Sequence, residues 1–115
     1  MDEQKIRVLI ADDEDGLRST IAAWLSDEGF GVQQAADGLA AIKLVQSNDF
    51  DIAFLDIKMP GVNGLEVLRF IKKNSSTTDV VMMTGMSDVN MAVEAMKLGA
   101  KEYLTKPIDL DQLVP

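Results

Sequence analysis

The sequence predicts an α/β fold: a doubly wound, five-stranded parallel sheet in the order 2-1-3-4-5, with helices on both faces. Three observations lead there. Short β-branched or aliphatic runs at residues 6–11, 32–35, 52–55, 80–83 and 102–104 alternate with stretches of helical periodicity. The first and third runs are almost continuously apolar, as expected of strands buried on both faces. Strand–helix alternation of this kind implies right-handed crossovers that return each strand parallel to the last. No linker, low-complexity segment or internal repeat interrupts the 115 residues, so one domain over residues 1–115 is expected.

The helices follow in order. Leu17, Ile21 and Leu25 share one face of the first, and Gly29 is placed to stop it. Asp37 is a capping residue for a second helix in which Ala41, Ile42 and Val45 align. The turn Met59-Pro60-Gly61-Val62 precedes a third stripe of Leu65, Leu68 and Ile71. Ser87 or Asp88 caps a fourth helix, with Val89, Ala92, Val93 and Met96 facing inward and Gly99 at its end. A fifth helix begins near Asp109 but has only Leu110, Leu113 and Val114 to bury before Pro115. That is too short to cover a sheet edge. The natural chain is therefore expected to continue past Pro115, although a short natural C-terminus fits the same residues.

Composition narrows the function. With 47% apolar and 26% charged residues, the chain has the balance of an ordinary globular protein, and no apolar run is long enough to span a bilayer. The acidic start is no signal peptide. Without Cys there is neither a disulfide nor a thiolate metal site, which fits a cytoplasmic protein; without His there is no imidazole ligand or base. A net charge of −8 and the absence of a basic cluster argue against direct binding to nucleic acid.

In a sheet of this order, ligands sit beyond the carboxyl ends of strands one and three, where the winding reverses. Strand one runs into Asp12-Asp13-Glu14 and strand three into Asp56, so Asp12, Asp13 and Asp56 should converge there. Two carboxylates about 4 Å apart repel by as much as ~4 kcal/mol at an effective dielectric near 20. A cation or a shared proton must relieve such a cluster. An all-oxygen site with open positions suits Mg²⁺, which completes its shell with water and phosphate oxygens. Favourable charge at a helix N-terminus explains one or two acids of the first loop, but not Asp56 after a different strand. An EF-hand is excluded by register, because its twelfth position would be Ala22. Strand four ends in Thr84-Gly85 and strand five in Leu104-Thr105-Lys106-Pro107, bringing a hydroxyl and an ammonium to the same rim. Lys106-Pro107 is expected to be a cis bond that holds its loop in one shape.

The stretches IRVLIADDE, FLDIKMPGVNGLEVL, VVMMTG and AKEYLTKP, in this order over essentially the whole chain, resemble the four signature stretches of response-regulator receiver domains from bacterial two-component systems. The resemblance implies the flavodoxin-like receiver fold and a phosphorylation switch rather than an enzyme. Asp56 would accept a phosphoryl group from a sensor histidine kinase. Asp13, Asp56 and the backbone carbonyl of Lys58 would bind Mg²⁺ directly, and Asp12 largely through water. Thr84 and Lys106 would hold phosphoryl oxygens. Inward movement of Thr84 would make room for Tyr103, biasing the face built from helix four, strand five and helix five toward an output domain or a homodimer. The alternative for Tyr103 is an ordinary strand tyrosine with its hydroxyl at solvent.

Lys58 and Met86 flank the site and are placed to tune how long the phosphate lasts; packing of Met86 on the fourth helix is the equal alternative. The region from Met83 to Pro107 is also similar to receivers of enhancer-binding activators of the nitrogen-regulation type, which carry an ATPase and a DNA-binding domain after the receiver. Two other readings compete: a pseudo-receiver that only binds partners, opposed by its intact site residues, and a flavin electron carrier, opposed by an acidic first loop that repels phosphate.

Overall fold

Five parallel strands form the sheet: β1 (Arg7–Ala11), β2 (Gly31–Ala35), β3 (Ile52–Asp56), β4 (Asp79–Thr84) and β5 (Glu102–Thr105). Their order is β2-β1-β3-β4-β5 in this computed structural model, which describes residues 5–74, 77–85 and 88–113. Register places Val8 opposite both Val32 and Ile52, and Asp56 opposite Met83. The helices between the strands are α1 (Asp15–Asp27), α2 (Gly38–Ser47), α3 (Gly64–Asn74) and α4 (Val89–Lys97). Strands three, four and five run one residue further than their apolar runs, so that Asp56, Thr84 and Thr105 are the last strand residues.

Alternation of side chains along the strands divides the core into two layers. Leu9, Ala11, Ala53, Leu55, Val80 and Met82 face α2, α3 and α4, where Leu65, Leu68 and Ile71 of α3 supply the largest buried stripe. Val8, Ile10, Phe54, Met83 and Leu104 face the other way, onto Ile21, Ala22 and Leu25 of α1. Burial of β1 and β3 on both faces is complete apart from their first residues, as their unbroken apolar runs require.

Local chemistry fixes the helix ends. Asp37 accepts a hydrogen bond from Ala40 N at 2.8 Å and Asn63 from Glu66 N at 3.0 Å, capping α2 and α3. Gly29 and Gly99, at φ 98° and 109°, turn the chain out of α1 and α4 in the left-handed region that favours glycine. The expected fifth helix is a short 3₁₀ helix at Leu110–Gln112, with Asp109 accepting from Asp111 N. Val114 lies outside the described residues.

Helix α4 departs from expectation. Ala92 and Ala95 are the buried residues, whereas Val89, Val93 and Met96 are 44%, 44% and 39% exposed. Two apolar stripes overlap on this helix, and periodicity alone does not say which one faces in. The small alanines let the backbone approach the sheet, and the larger side chains are left on the outer flank. Capping differs too: Asp88 occupies the N-cap position but makes no side-chain capping bond.

One glycine matters directly for the site. A Cβ on Gly64 would collide with the backbone carbonyl of Asp56, while Gly64 N donates to Ile57 O at 2.8 Å. The chain thus turns back tightly against the end of β3, and only glycine fits there. Gly64→Ala should lower stability by about 1–3 kcal/mol, the usual cost of overpacking; an unchanged urea midpoint would show that the contact is slack.

Candidate functional site

Strands β1, β3, β4 and β5 end at one rim of the sheet, and each delivers a polar residue to it. Asp12 follows β1 directly, with its N–H donating to Ala35 O of β2 at 3.1 Å. Its Oδ1 accepts from Glu14 N at 2.8 Å, a turn that folds the acidic loop over the strand end. Asp13 is exposed beside it. Asp56 ends β3 with its side chain 7% exposed, sunk in the rim but still open to solvent. Thr84 is fully buried at the end of β4, and its hydroxyl donates to Gly85 O at 3.1 Å. Lys106 N donates to Thr84 O at 2.8 Å, tying the loop after β5 to the end of β4, and the Lys106–Pro107 bond is cis.

The three carboxylates meet: Asp12, Asp13 and Asp56 each offer an oxygen within 4.8 Å of the others. Lys106 Nζ lies 3.0 Å from Asp12 Oδ2 and 3.4 Å from Asp56 Oδ1, with Glu14 at the margin at 3.9 Å. One ammonium therefore faces at least three negative groups. Burial raises the Asp56 carboxyl from 3.8 to about 7, reinforced by Asp12 and Asp13 and opposed by Lys106. Burial works against the charged form of Lys106 as well, but Asp12 and Asp56 outweigh it and hold the ammonium above its ordinary value.

These residues fit a divalent cation. Asp12 Oδ2 is fully buried, and its charged contact is the Lys106 ammonium at 3.0 Å, which it shares with Asp56. A buried carboxylate oxygen in that condition is costly unless a cation or a cation-bound water supplies what it lacks. The donor set is all oxygen and leaves positions open, as Mg²⁺ prefers.

The remaining residues named from sequence lie around this centre. Lys58, two residues after Asp56, pairs with Asp88 Oδ1 at 2.8 Å, and this pairing raises the Lys58 ammonium. Tyr103 lies on β5 with 37% of its surface exposed. Met86 and Ser87 lie outside the described residues. A cavity of about 420 Å³ opens beside Asp13, lined by Lys58, Met59, Asn63 and Met91 among others. Sequence reading overlooked Gly64, although its position after the Pro-Gly turn hinted at a close approach, and it did not foresee the Lys58–Asp88 pair, which joins two loops distant in sequence.

The comparisons with known proteins agree with this geometry. A match to the family described as the response regulator receiver domain covers residues 8–115, and the chain belongs to that family. It is 36% identical over 107 residues to the regulatory protein AtoC of Escherichia coli (strain K12), covering 93% of this chain and 23% of that protein. Sporulation initiation phosphotransferase F of Bacillus subtilis (strain 168) is 35% identical over 107 residues, which is 93% of this chain and 86% of that one. Among solved structures, the receiver domain of NtrX from Brucella abortus superposes with a TM-score of 0.86 at 35% identity, covering 92% of this chain and 90% of that one. The chain spans about a quarter of the length of AtoC and of the NtrX-like regulators it matches. Among the described residues, no helix is long and apolar enough to cross a membrane.

The raised Asp56 carboxyl makes stability depend on pH. The folded chain holds this proton up to about pH 7, whereas an unfolded Asp releases it near 3.9. The folded state binds more protons across that window, so its stability is greatest below it and falls as pH rises through about 7. Asp56→Asn should remove this decline and stabilise the metal-free protein at pH 8 by roughly 2–4 kcal/mol. Mg²⁺ should stabilise the parent protein at pH 8 more than the variant. Equal pH slopes for the two proteins in thermal unfolding would contradict the burial of this charge.

Proposed function

We propose that the protein is a phosphorylation-dependent signalling switch in which Asp56 accepts a phosphoryl group from a phosphohistidine on a sensor histidine kinase. The observation that carries this reading is the convergence of Asp12, Asp13, Asp56 and Lys106 on one solvent-reaching rim. An Asp56 carboxylate oxygen attacks phosphorus, the new P–O bond forms as the P–N bond breaks, and the imidazole leaves with its electron pair. Such a transfer needs little covalent help beyond in-line placement and charge neutralisation.

Lys106, already 3.4 Å from Asp56, neutralises charge on one phosphoryl oxygen. Thr84 donates its hydroxyl to another after releasing Gly85 O. Asp13, Asp56 and the Lys58 carbonyl would hold Mg²⁺, with Asp12 acting largely through water. When bound, the ion offsets the carboxylate repulsion and the charge on the transferring group. The domain turns over no separate substrate; its chemistry is limited to its own phosphorylation and dephosphorylation.

The phosphoryl group adds charge and acceptor oxygens beside Thr84, and inward movement of that hydroxyl opens space for Tyr103. The exposed flank of α4, with Val89, Val93 and Met96, and the exposed Tyr103 of β5 form an output face for a partner domain or a second copy. Residues 1–115 are then the receiver domain of a longer cytoplasmic transcriptional regulator of the enhancer-binding type, with an output domain that handles DNA. The similarity to AtoC and the NtrX-like regulators supports that arrangement. The B. subtilis relative, matched over 86% of its length, supports a second one, in which the receiver acts without an output domain.

Incubation with Mg²⁺ and acetyl phosphate should add one phosphoryl group by intact mass, and the adduct should vanish in Asp56→Asn or without Mg²⁺. An adduct that survives Asp56→Asn would reject the assignment. Met86→Glu should change the dephosphorylation rate if Met86 screens the acyl phosphate; an unchanged rate would remove that role.

A further inference from the structure

Among the described residues, five polar residues stand at helix starts, and two of them, Glu14 before α1 and Asp88 before α4, make no side-chain capping bond. Asp37, Asn63 and Asp109 each accept a hydrogen bond from a backbone N–H of the helix that follows. Asp88, at the N-cap of α4, does not. Its backbone sits at φ −110° and ψ 21° rather than in the extended conformation usual for a capping residue. Its side chain is only 10% exposed and is committed elsewhere: Oδ1 pairs with Lys58 Nζ at 2.8 Å. Its other oxygen, Oδ2, folds back over Gly85, 3.3 Å from where a Cβ would stand on that residue. A residue well suited to cap α4 is thus held off the helix end, between Gly85 and a lysine from a different loop.

Both anchors of this arrangement are near neighbours in sequence of residues of the phosphorylation site. Lys58 lies two residues beyond Asp56 on a flexible, 65% exposed side chain. Gly85 follows Thr84 and accepts its hydroxyl. A phosphoryl group on Asp56 carries close to two negative charges on three oxygens, and so outcompetes a single carboxylate for a nearby mobile ammonium.

We propose that the Lys58–Asp88 ion pair is a latch that keeps α4 without its side-chain cap while Asp56 is unmodified. It opens when a phosphoryl group draws Lys58 away and frees Asp88 to cap the helix. The inference rests on the phosphoacceptor reading above and names a positioning pair that reading does not contain. Two changes then meet at Gly85: Thr84 gives up the Gly85 carbonyl, and the Asp88 carboxylate leaves the space above the same residue. Release of the latch and movement of Thr84 favour one another, which links the state of Asp56 to the first turn of α4.

The test follows the backbone amides of Asn90 and Met91, the second and third residues of α4, by NMR with and without Mg²⁺ and beryllofluoride. Asp88→Asn keeps a capping oxygen and loses the charge; Lys58→Met loses the ammonium. Without beryllofluoride, both variants should move these amides along the line that the parent protein follows on adding it. Asp88→Asn should also bind beryllofluoride about two- to fivefold more tightly, the range expected for loss of a partly exposed ion pair. Asp88→Ala, with neither charge nor capping oxygen, should stay off that line.

Amides that remain at the unmodified position in both single variants, or an Asp88→Ala spectrum that matches Asp88→Asn, would overturn the latch. Phosphorylation of the parent protein by acetyl phosphate, read by mass, separates the two claims. If it succeeds while the variants behave as the parent does, only the latch falls; if it fails, the phosphoacceptor reading falls as well. Lys58 is largely exposed, so its replacement keeps the test available even if a change at the buried Asp88 prevents folding.

Discussion

Like-charge repulsion at the rim of the sheet is the constraint around which this molecule is arranged. Asp12, Asp13 and Asp56 come together because parallel strands of this order end side by side where the winding reverses. The core that holds them there is indifferent to their charge. Leu9, Ile10, Leu55 and Met83 would pack equally well below any residues at the strand ends. Hydrophobic burial therefore supplies the energy that keeps three carboxylates near one another, and Lys106 relieves only part of the repulsion. The buried Asp12 oxygen that shares one ammonium with Asp56 and the raised Asp56 carboxyl are two expressions of the same incomplete compensation. A site in that condition could hold a divalent cation, which would offset the remaining repulsion.

The loops around this centre are tied to it and to one another. Gly64 lets the chain turn back closely on Asp56, so the β3–α3 loop reports directly on the end of β3. Lys106 N donates to Thr84 O, so the ends of β4 and β5 are tied to each other. Lys58 and Asp88 connect the β3–α3 loop to the start of α4. None of these links is strong in isolation. Each lies beside the acidic centre, and under the proposed function they would carry a change of charge there to a helix whose outer flank is apolar.

Much of this was legible in the sequence. The parallel sheet and its order followed from strand–helix alternation, because β1 and β3 are apolar on both faces. The convergence of Asp12, Asp13 and Asp56 followed from topology rather than from any local motif. Asp37 was readable as a cap because nothing else competes for its side chain. Asp88 was not, because its partner Lys58 is thirty residues away and only the fold brings them together. The phase of α4 was also hidden: two apolar stripes coexist, and the tight approach of Ala92 and Ala95 to the sheet decides between them. Exposed valines and a methionine on that helix have the composition of a core and the position of a contact surface.

A crystal structure of the protein with Mg²⁺ and beryllofluoride tests the central claim most directly. One proposition underlies it: residues 12, 13, 56, 84 and 106 form a single pocket for a divalent cation and a phosphoryl group. The account predicts beryllium bonded to an Asp56 carboxylate oxygen, fluorides contacted by Lys106 Nζ and Thr84 Oγ1, and the cation among Asp12, Asp13 and Asp56. Beryllofluoride on another carboxylate, or a cation bound away from these three, would contradict it.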